Sequence, residues 1–263
     1  MSIFSSDSEK PVSRVKNFFA EVGDMTSFTG RYIVKSFKRP FEFLEVLTQM
    51  YVLGVRSLFL VSISSFIIGL VITIQLTPVF RQFGAEMMIP NMVTVAIIRE
   101  IGPVLTGIVC AGKIGSAIGA EIGSMKVSEQ IDAMAISGVD PFKYLVFTRV
   151  TACTLVLPIL VIYSAAWALL GCFLAVNLGK GMGYQLFLTV AFNEVMFYDF
   201  VPSLIKSFFF GYTIGLIGCY YGYKASKGTR GVGKAAHSSV VISTLIIFFI
   251  DMIAAQLNHM FFG

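Results

Sequence analysis

From Ser57 to Phe80 the chain carries no charged residue. An α-helix rises 1.5 Å per residue, so about 20 apolar residues cross the hydrocarbon core of a bilayer. In that solvent only helices and closed barrels satisfy their own backbones. Four more apolar runs follow, at about 91–118, 145–176, 200–221 and 239–257. The expected fold class is therefore an all-α integral membrane protein with five transmembrane helices. The charged fraction is 13%, about half that of a soluble domain. Abundant glycine suits helices that pack closely in lipid.

Ahead of the first span, residues 1–10 are polar and expected to fray. From Pro11 to Phe37, apolar residues recur at Val12, Val15, Phe18, Phe19, Val22, Met25, Phe28, Tyr32 and Ile33, with charges between them. That spacing predicts an amphipathic helix lying in the membrane interface. Lys38-Arg39-Pro40 interrupts it, and a second amphipathic stretch runs from Phe41 to Val55. The domain reading is an N-terminal cytoplasmic segment, 1–56, and a five-span domain, 57–263. The first forty residues are too charged for a signal peptide. Sixteen Lys and Arg flank one set of span ends and two flank the other, Arg81 and Lys180. By the positive-inside rule the N-terminus is cytoplasmic and the C-terminus lies outside. Asn177 to Asp199 reads as an outer connection. Gly222 to Ser238 reads as a basic, flexible inner one.

The longest stretch between Ser57 and Ala225 unable to sit in a bilayer is Glu121 to Pro141, EIGSMKVSEQIDAMAISGVDP. Ile122, Met125, Ile131, Met134 and Ala135 fall at roughly helical spacing, with charges between them. Gly138 supplies a helix stop, and Asp140-Pro141 a turn into the next span. A charged amphipathic helix at this point is either a docking surface or a solvated loop.

Charges inside the spans are the other departure. Arg99-Glu100 lies about 14 Å deep in the second span, and Lys206 and Asp251 about 9 Å deep in the fourth and fifth. Each is expensive in lipid, about 2.5–3.5 kcal/mol at mid-bilayer, which makes it a functional candidate. Adjacent residues are about 100° apart on an α-helix, so Arg99 and Glu100 are not expected to face one partner. Arg99 and Lys206 suit an anionic group such as a phosphate, with Glu100 setting the charge balance. Alternatively, Glu100 or Asp251 pairs with Lys206 and locks helices together. Gln75, near Thr77 and Pro78 at the far end of the first span, is a lesser pathway candidate.

Other chemistry is poorly provided for. His237 and His259 lie at opposite membrane faces, and HExxH, GxSxG and P-loop patterns are absent from the sequence. Cys110, Cys153, Cys172 and Cys219 lack metal-ligand or disulfide spacing and read as packing residues. The net charge of +5 is explained by topology, not by nucleic acid. Neither a catalytic site, a metal nor a cofactor is expected. Five spans without an internal repeat suggest a pathway formed between two copies. A transport subunit, an ion-coupled transporter or channel using Glu100 and Asp251, and a membrane scaffold all remain open on these residues alone.

Three strings carry a resemblance: REIGPVLT from Arg99, AGKIGSAIGAEIGSMKVSEQIDA from Ala111, and GVDP from Gly138. With them the chain resembles the MlaE/YrbE permeases, membrane subunits of ABC phospholipid transporters that work with MCE-domain proteins. The resemblance implies a homodimer of five-span subunits in a bacterial inner membrane, helping to maintain outer-membrane lipid asymmetry. It implies a separate cytoplasmic ATPase, a periplasmic MCE-domain partner, and room for a STAS-domain accessory bound through the ATPase. Arg99, Glu100 and Lys206 would then contact phospholipid. The coupling segment would use Glu121, Glu129, Gln130, Asp132, Ala133, Gly138, Asp140 and Pro141. Asp132-Ala133-Met134 followed by Gly138 has the spacing of the EAA-x-x-x-G loop of ABC importers, with Asp for Glu and Met for Ala.

Overall fold

A computed structural model describes residues 11–36, 42–180, 182–193 and 195–262. The expected fraying of residues 1–10 and the break at Lys38-Arg39-Pro40 lie outside these. All regular elements among the described residues are helical. The chain divides into two compact units, Met1–Phe41 and Glu42–Gly263.

The described residues of the first unit form α1 (Pro11–Ser36). Phe19, Val22 and Ile33 are exposed and fall on one stripe of it. Thr26, Thr29 and Ser36 turn their hydroxyls back onto carbonyls four residues earlier, each at 2.8 Å.

The second unit has five helices long and apolar enough to cross a membrane: Phe43–Gln82, Glu86–Val127, Phe142–Leu178, Asp199–Tyr223 and Thr229–Asn258. All reach past the apolar run that predicts them. α2 (Phe43–Gln82) is continuous, so most of the amphipathic stretch 41–55 forms the first turns of the first crossing.

The second crossing is composite. A 3-10 turn (Glu86–Met88) leads into α3 (Ile89–Ala96), a π turn (Ile97–Ile101), α4 (Gly102–Cys110), a second π turn (Ala111–Gly115) and α5 (Ser116–Val127). The first π turn has a local cause. Pro103 has no N–H to continue an α ladder. Gly102 donates its N–H to the Ile97 carbonyl five residues back. A Cβ at 102 would lie 2.6 Å from that oxygen, so glycine is needed there.

Then come α6 (Gln130–Ile136), a π turn (Phe142–Phe147), α7 (Thr148–Lys180), α8 (Tyr184–Ala191), α9 (Phe197–Tyr223) and α10 (Thr229–Phe262). The most extensive contact joins α2 to α7. They run in the same direction, with Gly54 facing Val156, Ser62 hydrogen-bonded to Tyr163 and Gly69 against Ala168. A Cβ on Gly69 would sit 1.9 Å from the Ala168 carbonyl oxygen, and one on Gly171 2.2 Å from that of Phe66. Van der Waals contact at this range drives helix association where lipid offers no hydrophobic gain. α9 crosses α7 in the opposite direction and α5 in the same one, and α10 runs antiparallel to α5. The core lies among α5, α7 and α9, where Ile118, Ile122, Leu157, Ile214 and Ile217 are buried. The four cysteines are buried free thiols.

Two connections differ from expectation. Residues 177–199 contain α8, whose Phe187 and Ala191 pack on Ile89, Val93, Ile97, Ala168 and Cys172. Residues 222–238 are mostly helix, not a flexible loop, because α10 begins at Thr229. There Val232 and Ala235 pack against Gly123 of α5, a contact that the basic composition concealed.

Candidate functional site

The intramembrane charges converge in the half of the bundle nearer α8. Lys206, on α9, is 3% exposed, and its Nζ donates to Glu100 Oε2 at 2.6 Å and Asp251 Oδ1 at 2.8 Å. One ammonium thus ties the first π turn, α9 and α10 together. Arg99 donates through Nε to Oδ1 of Asp199, which is 1% exposed. Asp199 accepts the Met196 N–H on its other oxygen at 2.9 Å, tying it to the start of α9.

Asp199 and Lys206 are seven residues apart, two turns on one face of α9, or about 10 Å along its axis. That face offers an acid and then a base, and the π turn offers a base and then an acid. Contrary to the expectation from α-helical geometry, Arg99 and Glu100 both reach the same helix. The i→i+5 turn is wider than an α turn, and the two side chains meet α9 at different levels.

The structure brings together Arg99, Glu100, Lys206 and Asp251. It realises the pairing alternative twice, since both carboxylates bind Lys206. Gln75 is not part of the group and lies exposed on α2. Asp199 is the residue that sequence reasoning missed. Placed at the last position of the outer connection, just before a span read as starting at Phe200, it was legible through its spacing from Lys206.

At the opposite end, Glu121 is half-exposed and accepts from Arg149 Nη2 at 2.8 Å. Arg149 is buried on α7, and its Nη1 donates to the Leu145 carbonyl. Glu121 therefore holds the neck of the 121–149 loop closed, and Arg149 is a second residue that sequence reasoning passed over. Lys126 reaches Asp132 at 3.2 Å and clasps α5 to α6. Asp140 Oδ1 accepts the N–H groups of Phe142 and Lys143 at 3.1 and 3.4 Å, capping the third crossing beside Pro141.

Glu129 and Gln130 are exposed at the head of α6, and Ala133 lies exposed within it. Glu129 adopts φ 60°, the left-handed region. Gly138, at φ +83°, ends the segment. Ile131 is buried beneath α6, whereas Ile136 is 89% exposed. α6 is thus anchored by one buried side chain and the Lys126–Asp132 clasp, and presents both apolar and charged side chains outward.

At the α8 end, a cavity of about 320 Å³ is lined by Met87, Met88, Asn91, Thr189, Val190 and Asn193. Sequence reasoning assigned no residue there, because the cavity depends on the packing of α8 on α3.

The family described as Permease MlaE has a profile that matches residues 46–257. A probable ABC transporter permease protein of Rickettsia felis is 34% identical over 244 residues, covering 93% of this chain and 94% of that one. A probable ABC transporter permease protein of Synechocystis sp. is 38% identical over 202 residues, 77% of each chain. Protein trigalactosyldiacylglycerol 1, chloroplastic, of Arabidopsis thaliana is 33% identical over 227 residues, covering 86% of this chain and 65% of that one.

Proposed function

Because this chain belongs to the MlaE permease family, we propose that it is the membrane subunit of an ABC transporter that moves phospholipid to or from an MCE-domain partner. The observation that carries the reading is the charged group centred on Lys206. A buried ammonium and a buried carboxylate hold Glu100 and Arg99 in place, and each of these is about two-fifths exposed. Burying this many charges is expensive unless their arrangement is used. In the proposed orientation the α8 end faces the periplasm and α6 the cytoplasm. Two copies would enclose the lipid cavity in a bacterial inner membrane, contributing to outer-membrane lipid asymmetry. Segment 1–56 would lie on the cytoplasmic side, with α1 in the interface.

The ATPase would grip α6 through Glu129, Gln130, Asp132, Ala133 and the exposed Ile136. Glu121, Asp140, Pro141 and Gly138 would set that helix at its angle. A STAS-domain accessory would join through the ATPase. Hydrolysis would belong to the ATPase, leaving this subunit without a catalytic step.

The test is to purify the tagged chain gently from its native membrane and identify what accompanies it, with stoichiometry. Two copies with an ABC ATPase, an MCE protein and phospholipid are expected. A chain that arrives alone and without lipid would overturn the reading. A second reading draws on the excess of carboxylates in the same group, in which Glu100 and Asp251 carry a proton or cation. It requires transport that persists without ATP and follows membrane potential or pH.

A further inference from the structure

We propose that the Arg99–Glu100 turn selects zwitterionic headgroups, with Arg99 taking the phosphate and Glu100 the amine. This rests on the reading above that the charged group binds lipid. The two ion pairs share one asymmetry. Asp199 and Lys206 are 1% and 3% exposed, whereas Arg99 and Glu100 are 40% and 41% exposed. The buried member of each pair fixes its partner's position, and the exposed member keeps surface for a ligand. The exposed members are sequence neighbours of opposite charge, so a ligand meets a cation and an anion side by side.

Among the described residues the ion pairs of this group join two bases, Arg99 and Lys206, to three acids, Asp199, Glu100 and Asp251. These five side chains carry one negative charge in sum. A purely anionic headgroup would gain Arg99 but face Glu100 at close range, and like charges in a partly desolvated site discriminate strongly. A headgroup with an ammonium beyond its phosphate satisfies both. Lys206 is sequestered between carboxylates and acts as a positioning residue for Glu100.

Substituting Glu100→Gln should leave the fold intact, because Lys206 keeps Asp251 at 2.8 Å. Glu100→Asp, which keeps the charge, serves as the folding control. The experiment is native mass spectrometry of the full chain in its complex, equilibrated in an equal mixture of phosphatidylethanolamine and phosphatidylglycerol with matched acyl chains. The wild type is expected to retain phosphatidylethanolamine over phosphatidylglycerol by about tenfold, roughly one charge-assisted contact. Glu100→Gln should abolish that preference, lowering retention of phosphatidylethanolamine and raising that of phosphatidylglycerol, and Glu100→Asp should preserve it. Arg99→Gln should lower retention of both lipids. Equal retention by the wild type, or an unchanged ratio in Glu100→Gln, would overturn the headgroup assignment. If Arg99→Gln retains as much lipid as the wild type, the underlying lipid-binding reading fails instead.

Discussion

The two charged regions use the same residue types to opposite ends. Around Lys206 each ion pair among the described residues has one member almost wholly buried, Asp199 or Lys206. Around α6 the ions lie in the open: the Lys126–Asp132 clasp is 37% and 60% exposed. Buried ions must be paired, so their geometry is fixed in advance, and the neighbours of a removed charge suffer. Exposed ions are solvated and screened, so their pairing contributes little and they remain available to a partner. Arg149–Glu121 lies between these limits, with a buried base and a half-exposed acid.

The sharpest way to break the comparison is Lys206→Met. It leaves Glu100 and Asp251 without their shared cation, and a loss of about 3–5 kcal/mol is expected from removing one partner of a buried group. Thermal unfolding in lipid nanodiscs measures it. Combining Lys206→Met with Asp251→Asn should recover part of that loss, since the pair is coupled. If the single substitution is neutral, the group is hydrated and the contrast with α6 disappears.

Arg149→Met comes next, at about 1.5–3 kcal/mol for lost hydrogen bonds to a charged group. The loss should be smaller than at Lys206, because Glu121 can turn to water. Limited proteolysis between Ser128 and Asp140 should accelerate as the neck of the loop loosens, whereas Lys206→Met should leave that rate nearly alone. Lys126→Ala should cost at most about 1 kcal/mol and lose its effect in high salt. A salt-insensitive loss would place that pair with the buried class.

The same contrast marks what the sequence could disclose. Five crossings were legible because an apolar run longer than a bilayer is thick admits few other readings. Their ends were not, because α2, α5 and α10 extend into residues whose polarity suits water while their backbone hydrogen bonds continue. Arg99, Glu100, Lys206 and Asp251 were legible as isolated charges in apolar runs. Asp199 was hidden because it stands at the very edge of the apolar run that begins at Phe200 and so counted with the connection, although its spacing of seven from Lys206 was available. The π turn ahead of Gly102-Pro103 was not foreseen. A π turn depends on which carbonyl Gly102 can approach, and composition carries no record of that. α8 was missed because eight residues in a glycine-rich connection carry little periodicity. Its place is set by Phe187 packing on distant residues.

The smallest expected effect is the most diagnostic for the open side of the comparison. Glu129 is the only non-glycine residue among those described with a positive φ, and nothing in its burial requires glutamate there. The left-handed region costs an L-residue about 1–2 kcal/mol, and glycine surrenders about 0.5–1 kcal/mol of chain entropy in return. Glu129→Gly should therefore stabilise the chain by a few tenths to about 1 kcal/mol. If the carboxylate serves a partner, the same substitution should weaken ATPase association in a pull-down while raising the melting temperature. Glu129→Asn, which tolerates the conformation without the charge, should weaken association as Glu129→Gly does, and Glu129→Asp should retain most of it. Stability and association moving in opposite directions would identify a strained residue held in place for docking. If both rise together, the exposed charges of α6 are solvent-facing only, and its partner contacts fall to Ile136 and its apolar neighbours.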